Sequence, residues 1–433
     1  MKVHLRNRLK WLILSVGCGL LLVALFWLMG GTTASVQAAP TDRYVSTVGI
    51  DVGGCTSIGN PCHTVQFAID AANPGDRILV AQGTYTDVHS RNGYTQVAYI
   101  SKTLTLLGGY TNTFTTRFPR SSNLFADRRG RPLVVNGSIT VTVDGFALTS
   151  GDATTGGTGG FAGPANGGGV LFYGGTLKLA DVSVFENEAL ASGAQGGGIY
   201  HEFGTLIIED SFIGLNGADS DGSGLYSRSG EVHIRDGHFI HDGADEGGAI
   251  NLETVTAWLT NTVFFENGAD NVGGAMSVGG SYVHMWHPSL LFNTRPPGLG
   301  AQEAIFVSTD LYGQPSNLHM TNTLAVSHTV VVSAQAGPPA LPNTAVINGV
   351  LWFGNQQNTT GPGIITVTNA YTGNPNITAP GFAIIGSGSA AINRGVPSPV
   401  SRDFFGDLRV GAPDLGADEY VLYIYVPVTL RNY

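Results

Sequence analysis

The side chains best suited to chemistry recur about every 26 residues in the middle of the chain. Tryptophan, tyrosine and histidine fall at matching places in successive repeats, with charged side chains beside them. The set is Glu209, Glu231, His233, Arg235, Trp258, Tyr282, His284 and Trp286. Exposed rings at strand spacing suit the faces of sugars, and flanking charges suit hydroxyl and carboxylate groups. The pattern therefore predicts a glycan-binding surface, and the alternative is that a neighbouring loop covers both tryptophans.

A second group of side chains is acidic and falls in one turn of the repeat. It comprises Asp219, Asp221, Asp245 and Glu246. Carboxylates stacked ~5 Å apart repel one another unless a cation lies between them, which makes calcium the candidate metal cofactor. The stretch from Asp219 begins like a calcium-binding loop, but Gly230 stands where such a loop needs a bidentate glutamate. The alternative is an acidic turn whose charges are screened by water and salt.

These residues belong to a repeat whose columns keep one spacing, and the spacing indicates the fold. Two polar columns advance together by 29, 26, 25 and 26 residues. They are Asp181, Asp210, Asp236, Asn261 and His287, and Asn187, Asn216, Asp242, Asn267 and Asn293. In the second column each side chain is expected to hydrogen-bond to its copy in the next repeat, as an asparagine ladder. Glycine pairs such as Gly168-Gly169 are expected to supply positive φ angles at the turns.

Between the polar columns lies a strand with apolar side chains at every second position. Its apolar members are Leu177, Leu179, Leu206, Ile208, Val232, Ile234, Leu259 and Met285. Period two means that one face of the strand is buried. A unit this short cannot bury that face alone, but stacking like positions at ~4.8 Å per coil in a parallel sheet makes one continuous core. The sequence thus predicts an all-β parallel β-helix, with roughly twelve coils between residues 75 and 385.

The N-terminal part of the chain indicates its compartment. Residues 1–38 combine a basic start, a long apolar run and small residues before Ala39, which is typical of a secretory signal peptide or an uncleaved anchor. In an oxidising compartment Cys55 and Cys62 should form a disulfide. Residues 62–72 have helical spacing and predict a short helix that caps the first coil. With 31 Asp and Glu against 21 Lys and Arg, the acidic surface disfavours nucleic acid as a partner.

Two parts of the chain resemble a known family. Residues 44–46, the two cysteines and residues 64–85 are similar to the N-terminal opening of secreted bacterial right-handed parallel β-helix proteins of the pectin-lyase-like superfamily. Residues 388–395 and 403–420 resemble the choice-of-anchor Q module that ends many such proteins. The resemblance implies right-handed coils in a secreted or cell-surface protein. Its parts would be the leader 1–38, the β-helix 39–385, an anchor-like module 386–420 and a tail 421–433.

The resemblance does not imply catalysis. The superfamily includes polysaccharide lyases and galacturonan hydrolases, but the paired Asp, Gly-His-Gly and Arg-Ile-Lys motifs of the hydrolases do not occur in this sequence. We therefore expect a non-catalytic monomer that binds a polysaccharide or cell-surface glycan and contacts a membrane only through its leader or an envelope anchor. The alternative is a calcium-dependent polysaccharide lyase, or a glycoside hydrolase, acting on acidic polysaccharide. In a lyase Arg235, or alternatively Arg228, would remove the α-proton of a uronate.

The tail, residues 421–433, alternates tyrosine with aliphatic residues. It is too short to cross a bilayer as a helix. The alternation predicts an edge strand that completes the C-terminal cap, with Pro427 tolerated at the unpaired side. The alternative is a sorting or attachment signal for the cell surface.

Overall fold

The computed structural model describes residues 39–159, 165–295, 298, 300–338 and 341–422. The chain passes repeatedly through the same three parallel sheets and forms a right-handed parallel β-helix. The predicted all-β fold is therefore confirmed. The leader and residues 423–433 lie outside the described residues, so the predictions for them stay predictions. No helix in the described part of the chain is both long enough and apolar enough to span a membrane.

The first sheet contributes one strand to every coil. Neighbouring strands pair in parallel, so that Leu177 lies beside Leu206 and Leu206 beside Val232. Twelve of its strands lie in the described residues, and eleven of them fall between residues 75 and 385, where roughly twelve coils were predicted. They are Asp42–Val45, Arg77–Ala81, Leu104–Tyr110, Thr140–Asp144, Thr176–Ala180, Thr205–Gly214, Glu231–Ile240, Thr256–Thr260, Tyr282–Trp286, Asn317–Val326, Thr344–Phe353 and Ile364–Thr372.

The second sheet follows a sharp bend in each coil. The bend residue has a left-handed conformation, with φ of 48° at Asp181, 47° at Asp210 and 53° at Asp236. Aspartate and asparagine tolerate this conformation better than most residues, which explains the first polar column. The strands are Gly83–Tyr85, Ser122–Phe125, Phe146–Thr149, Ser183–Phe185, Val263–Phe265 and Ser289–Leu291, together with the second halves of the longest strands of the first sheet.

The third sheet closes the coil, and a short fourth sheet lines the turn before it. The third sheet comprises His89–Arg91, Tyr94–Ile100, Arg131–Asn136, Val170–Tyr173, Ile199–Glu202, Leu225–Arg228, Ile250–Glu253, Met276–Gly279, Glu303–Ser308, Val330–Ala334 and Gln357–Thr360. The fourth comprises Glu188–Ala189, Gly217–Ala218, Gly243–Glu246 and Gly268–Val272. Past the coils, Ile377–Ala379 pairs antiparallel with Ile384–Ile385 around the short 3-10 helix Pro380–Phe382.

The core runs through the centre of all these coils. Each of the eight predicted core side chains, from Leu177 to Met285, is at most 2% exposed. They pack with residues of the other two sheets, such as Phe239 and Phe264, whose rings stack 5.5 Å apart. Alternation in the sequence therefore located the buried face of the first sheet correctly.

The predicted capping helix spans Val65–Ala71 and lies across the first coil. Thr64 caps its N-terminus by accepting a hydrogen bond from the Phe67 backbone N–H. Gln66 is buried and bonds both the N–H and the carbonyl of Tyr99, so the helix joins the open edge of the third sheet. The predicted disulfide between Cys55 and Cys62 is also present, next to the start of this helix.

The second polar column forms a hydrogen-bonded ladder at the bend after the second sheet. Asn187 donates from its backbone and side chain to Asn216 Oδ1, at 3.2 and 3.1 Å. Asn267 donates in the same way to Asn293, at 3.1 and 2.9 Å. The amides also donate inward, for example from Asn267 Nδ2 to the Phe239 carbonyl at 3.0 Å. Five stacked side chains thereby satisfy buried backbone groups that the bend would leave unpaired.

Asp242 is the carboxyl within this ladder. Its Oδ1 accepts from the Asn216 N–H and Nδ2, at 2.9 and 3.1 Å. Its Oδ2 has no hydrogen-bond partner in the described part of the chain. In an asparagine, this position would hold the amide nitrogen, which donates. Complete burial raises the pKa of Asp242 to about 8, although the bonds from Asn216 act in the opposite direction. The protonated acid supplies the donor that the ladder needs.

The glycine pairs have a different role from the one predicted. The positive φ angles belong to the preceding glycine, for example Gly167 at 68° and Gly196 at 67°. A Cβ at Gly169 would lie 2.7 Å from Asn187 Nδ2, and one at Gly198 would lie 2.9 Å from Asn216 Nδ2. The prediction of positive φ in the pairs is therefore wrong, because the pairs are needed for close approach to the ladder.

Residues 373–420 turn back along the outside of the second sheet instead of adding a coil. Arg409 pairs with Glu419 at 3.2 Å and donates to Asn261 Oδ1 at 3.1 Å. Asn322 Oδ1 accepts from the Val396 N–H at 2.7 Å. The apolar contact consists of Val263, Leu291, Leu324, Val326 and Leu351 against Ala383, Ile385, Ala391, Leu415 and Ala417. This segment contains the anchor-like residues 386–420, whose proposed anchoring role remains a prediction.

We predict that Asp242→Asn stabilises the protein above about pH 5. The native carboxyl keeps its proton up to about pH 8, whereas in the unfolded chain it ionises near 3.8. Stability of the native protein therefore falls as pH rises through that window, and the asparagine variant should lack this component. We expect a gain of roughly 3 to 4 kcal/mol at pH 7 that disappears near pH 4, measured by denaturant unfolding at each pH.

The matched control is Asn216→Asp, which places the same carboxyl one coil away. Its free energy of unfolding should fall more steeply than that of the native protein as pH rises. That of Asp242→Asn should fall less steeply. Parallel pH profiles for Asp242→Asn and the native protein would show that Asp242 is ionised in the folded state.

Candidate functional site

The predicted chemical residues lie on the outer face of the first sheet. Parallel pairing aligns Lys178, Ile207, His233, Trp258 and His284 in one column, and His319 continues it in the next coil. A second column aligns Ala180, Glu209, Arg235, Thr260 and Trp286. Glu231 and Tyr282 occupy the column on the other side. We call His233, Trp258, Tyr282, His284, Trp286 and His319 the aromatic strip.

The rings of the aromatic strip contact one another within and between coils. His233 stacks on Trp258 with centroids 4.6 Å apart and planes inclined by 15°. His284 stacks on Trp286 at 3.8 Å and 20°. The His319 ring lies 5.6 Å from His284 and 5.5 Å from Tyr282. Strand pairing places Trp258 beside His284, so the strip spans four consecutive coils.

The strip remains accessible. Tyr282 is 40% exposed, and both tryptophans are partly exposed. Neither Trp258 nor Trp286 is buried by the described residues, which is the arrangement expected for rings that meet a ligand from solvent. Sequence analysis missed His319, because the coil that contains it has a longer loop and 35 residues separate it from His284.

Charged side chains flank one end of the strip. Glu209 pairs with Lys178 at 2.6 Å and with Arg235 at 3.3 Å. Arg235 also lies 2.8 Å from Asp236 and 3.6 Å from Asp210. Burial alone would raise the pKa of Glu209, but the neighbouring Lys178 and Arg235 outweigh it and lower the pKa.

Arg235 is held in its charged form. Burial by itself would lower its pKa, but the three neighbouring carboxylates of Glu209, Asp236 and Asp210 raise it. A guanidinium must lose a proton before it can act as a base. The surroundings of Arg235 therefore favour an ion-pairing role over proton abstraction.

Two carboxylates of the acidic turn accept hydrogen bonds from the preceding coil. Asp219 Oδ2 accepts from the Gly193 N–H at 2.8 Å, and Asp221 Oδ2 accepts from Gln195 Nε2 at 2.7 Å. Burial and the charges of neighbouring acids raise the pKa values of Asp245 and Glu246. In the described ranges no group of three or more His, Cys, Asp and Glu side chains is arranged to hold a metal. Asp219 and Asp221 therefore bond to protein donors, and calcium binding at this turn stays a prediction.

A second stack of rings lies on the third sheet, and sequence analysis missed it. The rings of Tyr200 and Tyr226 stack 5.3 Å apart, but both residues are at most 5% exposed. Their hydroxyls donate to Glu202 at 3.0 Å and to Glu253 at 2.7 Å. Because these rings are buried and their hydroxyls are hydrogen-bonded, they stabilise the sheet. The rings of the aromatic strip, by contrast, are accessible to solvent. Each lies two residues after the last glycine of the preceding turn, Gly198 or Gly224, which is the signal that could have revealed them.

Comparison with known proteins shows a likeness of fold. No family model and no curated protein matches the chain. The alginate lyase from Paenibacillus sp. strain FPU-7 is 17% identical over 75% of this chain and 99% of its own, with a TM-score of 0.42. Pectate lyase Pel9A is 13% identical over 88% of this chain and 97% of its own, with a TM-score of 0.43. The Yersinia enterocolitica Family 28 exopolygalacturonase is 14% identical over 77% of this chain and 79% of its own, with a TM-score of 0.24. The function therefore has to be argued from this chain's own residues.

Proposed function

We propose that the protein is an extracellular, non-catalytic β-helix that binds an extended neutral polysaccharide along the aromatic strip. The observation that supports this most directly is the pair of ring stacks, His233 with Trp258 and His284 with Trp286, on adjoining parts of one accessible face. Aromatic faces pack well against the C–H faces of sugar rings, and their imidazole and indole nitrogens can hydrogen-bond hydroxyl groups. Binding would bury the strip along the helix axis.

The preference for a neutral polysaccharide follows from the charges. The chain has a formal net charge of −10, which repels polyuronates at a distance. The two cations beside the strip, Lys178 and Arg235, already pair with Glu209. Glu231 is exposed at the other edge and would repel a carboxylate from close range. A glycan without charge avoids each of these penalties.

An extracellular location is part of the proposal. The disulfide between Cys55 and Cys62 forms in oxidising compartments, and the leader at residues 1–38 has the pattern of a secretory signal. Attachment to the cell surface would come through the leader or through the anchor-like residues 386–420. We propose that the protein acts there as a monomer that holds a cell-surface glycan.

The lyase alternative has weaker support from the same residues. It needs a base and a calcium ion close to a uronate. Arg235 is kept protonated by its neighbours, and in the acidic turn the carboxylates of Asp219 and Asp221 already accept hydrogen bonds from Gly193 and Gln195. The geometry therefore favours binding over elimination.

We expect the double variant Trp258→Ala, Trp286→Ala to lose polysaccharide binding. Native gels containing xylan, galactan, arabinan, mannan or β-glucan should retard the native protein with at least one of these polymers. The double variant should bind that polymer at least about tenfold more weakly, because removal of the two rings forfeits about 1.4 kcal/mol or more. The control is Phe292→Ala, which removes a 39% exposed ring at the end of the second sheet and should leave retardation unchanged. Equal retardation of all three proteins would contradict the proposal.

We also expect no lyase activity. Incubation with polygalacturonate or alginate and calcium should give no rise in the ultraviolet absorbance of unsaturated uronate products. Product that forms with the native protein and is lost in Arg235→Ala or in Arg228→Ala would reverse the ranking of the two functions. Circular dichroism of both variants would establish that each is folded.

A further inference from the structure

The N-terminal end of the β-helix carries a loop, residues 46–61, that covers the free edge of the first strand, Asp42–Val45. The Tyr44 N–H donates to the Cys55 carbonyl at 2.7 Å, and the Cys62 N–H donates to the Tyr44 carbonyl at 2.9 Å. The disulfide between the two cysteines ties the loop together. We call residues 46–61 the N-terminal loop, and it forms the outer surface of this end in the described part of the chain.

The N-terminal loop exposes its aliphatic side chains. Four of them lie within eleven positions, and their exposed fractions are 76% for Val48, 70% for Ile50, 61% for Val52 and 49% for Ile58. Single exposed aliphatic residues are common on soluble proteins. Four in one short loop are unusual, and concentrations of exposed apolar side chains mark surfaces that contact a partner or a membrane.

The single charged residue of the loop is turned toward the protein. Asp51 Oδ1 accepts from the backbone N–H groups of His63 and Thr64, at 2.8 and 2.9 Å, and its Oδ2 accepts from Thr64 Oγ1 at 2.8 Å. The carboxylate is therefore engaged at the start of the capping helix, although Asp51 stands between Ile50 and Val52 in the sequence. The loop thus presents aliphatic side chains outward and its charge inward, which is the reverse of an ordinary water-facing loop.

The charge around the N-terminal loop is nearly balanced, unlike that of the rest of the molecule. Residues 39–103 contain five acidic and four basic side chains, whereas residues 104–433 contain 26 acidic and 13 basic ones. An anionic lipid surface would repel the acidic remainder of the chain but would meet almost no net charge at this end. The charge distribution therefore favours an approach to lipid with the N-terminal end first.

The connection to the leader also favours lipid as the partner. The apolar run at residues 11–29 is close to the length of a membrane-spanning helix. Residues 30–40 join it to Thr41, whose N–H donates to Asp76 Oδ1 at 3.0 Å beside the first strand. Eleven residues reach at most about 40 Å when fully extended. A leader that stays in the bilayer would therefore keep the N-terminal loop close to the lipid surface.

We propose that the N-terminal loop lies on the outer surface of the membrane, with its four exposed aliphatic side chains among the lipid headgroups. Burial there removes their apolar surface from water, while the loop backbone stays bonded to the first strand. Sequence analysis expected membrane contact only through the leader or an envelope anchor, and this loop adds a second contact. The proposal rests on the leader being retained as an anchor and not on glycan binding by the aromatic strip.

The test introduces one new tryptophan into the full chain, leader included. The protein is reconstituted into nanodiscs of phosphatidylcholine and phosphatidylglycerol, with or without bromine on the acyl chains, because bromine quenches tryptophan emission only at close range. The native chain, measured in parallel, corrects for its own five tryptophans. Ile50→Trp should add emission that brominated lipid quenches by about half or more.

Leu311→Trp is the matched control. Leu311 is an aliphatic residue that is 89% exposed, in the loop before the tenth strand of the first sheet. Nine coils separate it from the first strand, which is about 43 Å along the axis. Its added emission should not be quenched. Equal quenching at positions 50 and 311, or no quenching at position 50, would overturn the proposal.

A further variant separates apolar contact from simple proximity to the anchor. Ile58→Trp should also be quenched, and the quenching should fall at least about threefold when Val48, Ile50 and Val52 are all replaced by serine. Circular dichroism would show that this variant is folded. Quenching that the serines leave unchanged would contradict the proposal. Emission at position 50 that is blue-shifted but unquenched would also contradict it, since it would place the loop against a second copy of the chain.

The state of the leader gives an independent check. Mass spectrometry of the protein isolated from the membranes of its own cells should show residues 1–38 still attached. A chain that begins at Ala39 and is recovered in the medium would overturn the proposal, whereas it would leave glycan binding by the aromatic strip unaffected.

Discussion

The whole molecule depends on one constraint: a coil of about 26 residues cannot bury its own apolar side chains. Each coil must lie directly on the next in parallel register, so that Ile208 meets Leu179 on one side and Ile234 on the other. This requirement explains the alternation along the first sheet, the left-handed bend residues and the asparagine ladder. Every one of these features keeps successive backbones ~4.8 Å apart.

The same stacking determines what the outer surface can do. Any side chain that points outward is repeated above and below by its counterparts, so a binding surface arises as a column instead of a pocket. The aromatic strip is a column of this kind. The stack of Tyr200 and Tyr226 shows that stacking alone does not make a site, because those rings are buried and their hydroxyls are paired.

The sequence was most informative where the repeat kept its spacing. The core residues, the ladder from Asn187 to Asn293, the capping helix and the disulfide could all be predicted, because each depends on local pattern or on a constant interval. His319 escaped because a longer loop changed the interval. The packing of Arg409 against Asn261 could not be foreseen either, since 148 residues separate them and no periodicity links them.

The chemistry was harder to predict than the fold for a related reason. Trp258 and Arg235 were correctly expected on one face, but only the structure shows that Arg235 is surrounded by three carboxylates. The acidic turn illustrates the same limit, since the carboxylates of Asp219 and Asp221 proved to accept hydrogen bonds from Gly193 and Gln195. Sequence spacing gives the column in which a residue lies, whereas its partners depend on loops from other coils.

The most direct test of the account is hydrogen exchange measured by mass spectrometry with and without the polysaccharide that retards the protein in native gels. Binding along the aromatic strip should slow exchange in the strands Thr256–Thr260 and Tyr282–Trp286 and in the turns beside them. The third-sheet strands Ile250–Glu253 and Met276–Gly279, in the same coils, should exchange at unchanged rates. Protection confined to the third sheet, or no protection on either face, would contradict glycan binding by the first sheet.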